Sequence, residues 1–148
     1  MPTNPKEYYP PMHTAEHILN QTMVRMFGTE RSFSNHIERK KSKCDYKFNR
    51  NLSEEELLEL QENINKIIEM NLDVTEELLN IDEARKKVSL DRLPENHEDV
   101  IRIVNIGDYD SCPCSGAHVS NTREIGKVRI VSSSFDNNVL RIRFKLQK

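Results

Sequence analysis

The stretch Lys127–Leu146, KVRIVSSSFDNNVLRIRFKL, carries the clearest structural signal in this chain. In its second half Leu140, Ile142, Phe144 and Leu146 alternate with Arg141, Arg143 and Lys145. A period of two places the apolar set on one face of a strand and the cations on the other. The first half, from Lys127 to Ser132, is a second β-prone run, and Asp136-Asn137-Asn138 between them is a turn sequence. The two halves therefore predict a hairpin with one dry face and one wet, basic face.

Upstream, Cys44, Tyr46 and Phe48 are spaced by two around Asp45 and Lys47, which reads as a half-buried strand paired with an earlier one near Ser32–Glu38. Val100, Ile101, Ile103, Val104 and Ile106 form another strand-like run from Asp99, followed by a turn-rich loop from Gly107 to Ser111. Two stretches have helical periodicity instead. Ala15, Ile18, Leu19, Thr22, Met23 and Met26 mark a helix from about Met12 to Phe27, closed by Gly28. Leu57, Leu60, Ile64, Ile67 and Ile68 mark a second, opened by a Ser53/Glu56 capping box and closed near Asn71. Leu72–Leu79 reads as a short strand and Ile81–Val88 as a short helix. The expected fold class is α+β, with helices packed on one face of a curved, mainly antiparallel sheet.

The 148 residues are expected to form a single domain, 1–148. Pro2, Pro5, Pro10 and Pro11 make residues 1–11 an extended N-terminal arm. With 22 basic and 24 acidic residues the net charge is −2, which excludes a globally basic nucleic-acid binder but not a local basic patch. Such patches are present. Residues 39–50 carry six bases against one acid and residues 121–148 seven against two, whereas residues 53–83 carry eleven acids and one base. No run of apolar residues exceeds two, so no transmembrane helix is expected, and no membrane partner. The N-terminus lacks a signal-peptide core, and three cysteines, an odd number, argue for reduced thiols or metal ligation; a cytoplasmic location is expected.

Two short motifs carry chemistry. In His13-Thr14-Ala15-Glu16-His17 the imidazoles are four residues apart, on one helical face and about 5–6 Å apart at Cβ, within reach of one metal ion. In Cys114-Ser115-Gly116-Ala117-His118, preceded by Cys112-Pro113, thiolate plus imidazole is a donor pair suited to zinc. Either motif alone is compatible with ordinary buried or surface side chains. Together they supply three histidines and a cysteine, with Cys112 a spare sulfur, and point to one zinc site.

His13-Thr-Ala-Glu-His17-Ile-Leu resembles the HxxxH motif of the alanyl- and threonyl-tRNA synthetase editing domains, and Cys114-Ser-Gly-Ala-His118-Val their CxxxH motif. Cys44-Asp-Tyr-Lys-Phe48 is similar to the family's strand after the first helix, and Asn121-Thr-Arg-Glu-Ile-Gly126 to its segment after the second motif. The resemblance runs from about Met12 to Lys148, and the chain looks most like the free-standing AlaX type. It implies a Zn²⁺ held by His13, His17, Cys114 and His118. It also implies hydrolysis in trans of mischarged tRNA, typically seryl-tRNA for alanine, with the acceptor end of an alanine-type tRNA as partner.

Two positions depart from the family's pattern. Glu16 stands where alanyl-type domains often have Thr, and a carboxylate there could serve as general base for water. Ser32–His36 lacks the glycine-containing pattern of the substrate-side strand, which makes Asn35 and His36 candidates for contact with the amino acid or the tRNA end. Lys40, Lys41, Lys43, Arg141 and Arg143 are the candidate phosphate contacts. Two alternatives stay open. One is a catalytically inactive zinc-containing tRNA-binding module; the other, suggested by His-x-x-Glu-His, is an inverzincin-type metallopeptidase.

Overall fold

The computed structural model describes residues 9–87 and 100–147. Within them lie α1 (Pro10–Phe27), β1 (Ser34–His36), β2 (Ser42–Lys47), α2 (Glu54–Glu69), β3 (Val74–Asn80), α3 (Ile81–Lys87), β4 (Val100–Ile106), β5 (Asp110–Pro113), a 3₁₀ turn (Thr122–Ile125), β6 (Lys127–Asp136) and β7 (Val139–Gln147). The fold is α+β and its strand pairings are antiparallel. The strands divide between two sheets, one of four in the order β1-β2-β7-β6 and one of three in the order β3-β4-β5.

The hairpin forms as its sequence predicts. β6 and β7 pair across Asn137 and Asn138, both at positive φ (52° and 64°), the conformation that a two-residue hairpin turn demands and that asparagine tolerates. Leu140, Ile142 and Phe144 are fully buried and join Cys44 and Tyr46 of β2 in the main core. Lys43, Asp45, Arg141 and Arg143 project from the other face, where the register sets Lys43 opposite Arg143 and Asp45 opposite Arg141. Helix α2 closes the core with Leu60, Ile64 and Ile68, and its acidic side faces solvent on the side of the sheet opposite the basic one. A smaller core of Ala84, Ile101 and Ile103 joins α3 to the three-stranded sheet.

Helix α1 lies between these bodies. Besides Met12, Ala15, Ile18, Leu19 and Met23 it buries His13, Thr14, Glu16, His17 and Asn20, so polar residues occupy much of a helix with scarcely any wet face. It begins two residues before the expected start at Met12. Pro10 and Pro11 are its first residues, not the end of an arm, because proline's missing N–H costs nothing in the first helical turn and its fixed φ suits the helix. The rest of the expected arm, residues 1–8, lies outside the described residues, as do Val88 and Asp99 at the ends of two expected elements. Gly28 ends α1 at φ 70° and donates its N–H to Val24 O.

The Asn121–Gly126 segment fastens the two halves. Asn121 caps the 3₁₀ turn and Glu124 returns to the Asn121 N–H. Buried Thr122 donates its hydroxyl to Ile68 O and accepts from Leu72 N–H, so it ties the end of α2 to the loop before β6. Thr122→Val keeps the shape and removes both bonds. A loss of about 1–3 kcal/mol is expected in urea unfolding, with the slope of the transition unchanged.

Candidate metal centre

His13 and His17 are presented from the first two turns of α1, and Cys114 and His118 from the loop that follows β5. One donor atom from each of the four falls within 4.8 Å of the others. His13 Nε2 is 3.3 Å from Cys114 Sγ. A tetrahedral zinc with bonds of about 2.0–2.3 Å separates its donors by about 3.3–3.8 Å, so this pair already stands at ligand spacing. The three imidazoles form one cluster, with ring centroids 4.0–5.0 Å apart.

The far nitrogens of the rings show which atoms point inward. His13 Nδ1 is 3.0 Å from Ala117 O; a carbonyl can only accept, so that nitrogen carries the proton and Nε2 keeps its lone pair. His118 Nδ1 is 2.9 Å from Thr14 Oγ1, an oxygen that accepts the Val119 N–H. His118 Nε2 is then left buried with no hydrogen-bond partner. The ion-pair distance from His17 Nδ1 to Asp110 Oδ2 is 3.6 Å. Orphaned or sulfur-facing Nε2 atoms converging on a thiol, each ring oriented by a separate outer contact, are what a histidine-cysteine metal centre requires. The residues fit zinc.

The charges agree. Burial alone would raise the Cys114 thiol, but its contacts with His118, His13 and His17, and the charge of His17, hold it far below its usual range, to about 2. Burial opposes the charged form of His17, yet Asp110 and Cys114 outweigh it and take His17 up to about 9. Burial, then repulsion from the neighbouring imidazoles, outweighs the pull of Cys114 and takes His118 down to about 4. Cys114 and His17 thus favour each other's charged forms. Cys112 behaves differently. Burial pushes its thiol up to about 11, and its Sγ donates to Pro113 O at 3.4 Å, so the spare sulfur is a protonated thiol outside the cluster.

The loop is held as firmly as the helix. Arg102 of β4 donates through Nη1 to both Cys114 O and Gly116 O at 2.8 Å, and its other nitrogens bind Glu76. At Gly116 a Cβ would lie 2.8 Å from His13 Nδ1 and closer still to Cε1, so only glycine lets the loop approach the ring.

Glu16 is buried (3% exposed), with Oε1 3.8 Å from His13 Nε2, beside the centre. The other expected contact residues are not among the clustered donors. Asn35 is half-buried and accepts a hydrogen bond from Ser32 Oγ. His36 is exposed and pairs with Glu38 at 2.8 Å. Lys40 and Lys41 are exposed in the β1–β2 turn. Arg141 is engaged bidentately by Asp45, at 2.7 and 2.9 Å. Strand alternation points Lys43, Arg141 and Arg143 away from α1, on the sheet face opposite the core. Four residues that shape the centre were missed in the sequence: Thr14, Arg31, Arg102 and Asp110. Only Thr14, inside the first motif, and Asp110, four residues before Cys114, sat close enough to a motif to draw attention.

A model of the threonyl and alanyl tRNA synthetase second additional domain matches residues 101–143, the segment that contains Cys114 and His118. The chain is 31% identical over 123 residues to the alanine–tRNA ligase of Caldicellulosiruptor saccharolyticus, a match covering 82% of this chain and 14% of that one. Matches of 32% identity over 123 residues, with the same coverage, link it to the alanine–tRNA ligases of Pseudoalteromonas translucida and Bacillus subtilis. The chain belongs to the threonyl and alanyl tRNA synthetase second additional domain family. This second additional domain chain spans 13–14% of the length of the curated relatives it matches. No helix among its described residues is long and apolar enough to cross a membrane.

Gly116 gives the sharpest test of the centre, because its backbone is not at positive φ and a methyl group meets only His13. Gly116→Ala should displace the His13 ring and weaken zinc binding at least tenfold in competition with a chromophoric chelator. The far-ultraviolet circular dichroism should stay unchanged.

Proposed function

We propose that this chain is a zinc-dependent editing hydrolase acting in trans on mischarged aminoacyl-tRNA, with seryl-tRNA for alanine as its first substrate. One observation carries the reading: the convergence of His13 and His17 with Cys114 and His118, in the threonyl and alanyl tRNA synthetase second additional domain family. When bound, zinc would supply a Lewis acid beside the ester linking amino acid to terminal ribose. His13, His17, Cys114 and His118 hold it, and the outer contacts fix their rings.

The remaining work falls to the protein's own groups. Glu16 accepts the proton of the attacking water, since it is the carboxylate beside His13 Nε2 and its burial excludes bulk solvent. A cavity of about 440 Å³, lined in part by His118, Val104, Arg102 and Glu76, opens against the centre and gives the nucleoside end of the ester room to approach. Lys40, Lys41, Lys43 and Arg143 serve the phosphate backbone. Lys43 and Arg143 stand directly opposite one another across β2 and β7, a repulsive pair that an anion relieves. Arg141, already spent on Asp45, contributes mainly to sheet stability. Asn35 and His36 flank the substrate's amino acid or tRNA end, and the cytoplasm is the compartment where such a reaction is needed.

The test is a zinc-loaded sample incubated with seryl-, glycyl- and alanyl-tRNA for alanine. Serine release, with alanyl-tRNA left intact, is the expected result, and Glu16→Gln should slow it about 100-fold or more at unchanged zinc content. Binding without release would favour the inactive tRNA-binding module, to which a closed set of four protein ligands also points. Cleavage of peptides but not esters would favour the metallopeptidase.

Phosphate contact has its own signature. Lys40→Glu combined with Lys41→Glu should raise KM for the tRNA severalfold while leaving kcat and zinc content alone. The salt dependence of binding should become shallower by about one to two in logarithmic slope.

A further inference from the structure

Asp110 has no assigned role, yet its side chain is wholly buried and lies at the junction of three elements. It opens β5. Arg31, in the loop between α1 and β1, grips it with both terminal nitrogens, at 2.8 Å to Oδ1 and 3.3 Å to Oδ2. Gln21, one turn beyond His17 on α1, donates to Oδ1 at 2.9 Å. The fourth neighbour is His17 Nδ1, 3.6 Å from Oδ2. A carboxylate can be buried in this way only if cations and donors surround it, and here they leave it one orientation.

We propose that Asp110 is a positioning residue of the metal centre: fixed by Arg31 and Gln21, it takes the Nδ1–H of His17 and commits that ring to binding through Nε2. The three histidines are then oriented by three different outer partners. At the outer nitrogen His13 has a backbone carbonyl and His118 a hydroxyl, while His17 has a carboxylate. That charge makes His17 the strongest donor of the three and the ligand least free to rotate. The inference rests on the metal reading but not on the deacylase reading, because it concerns how tightly a cation is held.

The experiment uses the full chain and zinc ion alone. Zinc affinity is measured by chelator competition for the wild type, Asp110→Asn and Arg31→Lys, and the His17 Nδ1–H proton is followed by NMR in the zinc-loaded chains. Asp110→Asn should weaken zinc about 10–100-fold and move that proton upfield. Arg31→Lys keeps the cation but breaks the fork, and should show a smaller loss in the same direction. It also decides the matter if Asp110→Asn fails to fold. Unchanged affinity in the variants, or a His17 proton that does not move, overturns the assignment. A wild-type chain that takes up no zinc sinks the metal reading itself, which is a different result from a wild type that binds and variants that bind equally well.

Discussion

The structure depends on how the polar side of α1 is satisfied. A helix that buries His13, Thr14, Glu16, His17 and Asn20 would be unstable against an apolar surface, since each unpartnered polar group costs about 1–3 kcal/mol. The 110–119 segment supplies the partners. Ala117 O takes His13, the Val119 N–H and His118 flank Thr14, Asp110 faces His17 and Cys114 Sγ meets His13. Ser32 N–H donates to Asn20 from the other side. The contacts that reconcile α1 with burial are therefore the contacts that build the centre, and stability and chemistry are set by one interface.

That interface explains why two sheets are used. The four-stranded sheet and α2 bury the apolar half of α1, and an α+β domain could stop there. The polar half needs a second, rigid body to present carbonyls, a carboxylate and a sulfur at defined positions. The three-stranded sheet does so through β5 and the loop after it, braced by Arg102 from β4 against the Cys114 and Gly116 carbonyls. Thr122 and Asn121 link that loop back to the end of α2. A displacement of either body would move two donors relative to the other two.

How much of this was legible in the sequence follows from the range of the interactions. The β6–β7 hairpin, the Ser53/Glu56 box and the Gly28 terminus are written in residues within a few positions of one another, and they were read nearly as they occur. The four donors were legible as two local motifs, because helical spacing pairs His13 with His17 and a short loop pairs Cys114 with His118. Their convergence lies 101 residues apart in the chain, from His13 to Cys114, and only the family resemblance joined them. Arg31 and Arg102 were not legible at all: an arginine in a loop or on a strand looks like any surface cation until tertiary structure shows which carbonyl or carboxylate it grips. The division into two sheets was hidden for the same reason, since Val100–Ile106 alternates no differently for one sheet than for the other.

The same distinction sorts the basic residues. Arg141 and Arg143 are identical in sequence terms, both on the wet face of β7, and composition would give them one role. Register separates them. Arg141 lies opposite Asp45 and is neutralised by a bidentate pair, whereas Arg143 lies between the like charge of Lys43 on β2 and Ser132 on β6, to whose hydroxyl it donates. A like-charge pair directly opposite on a half-buried sheet face lowers stability slightly. The centre and this face lie on opposite sides of the four-stranded sheet. Lys40 and Lys41 belong to neither: they stand exposed in the β1–β2 turn, at the end of two strands rather than on a face.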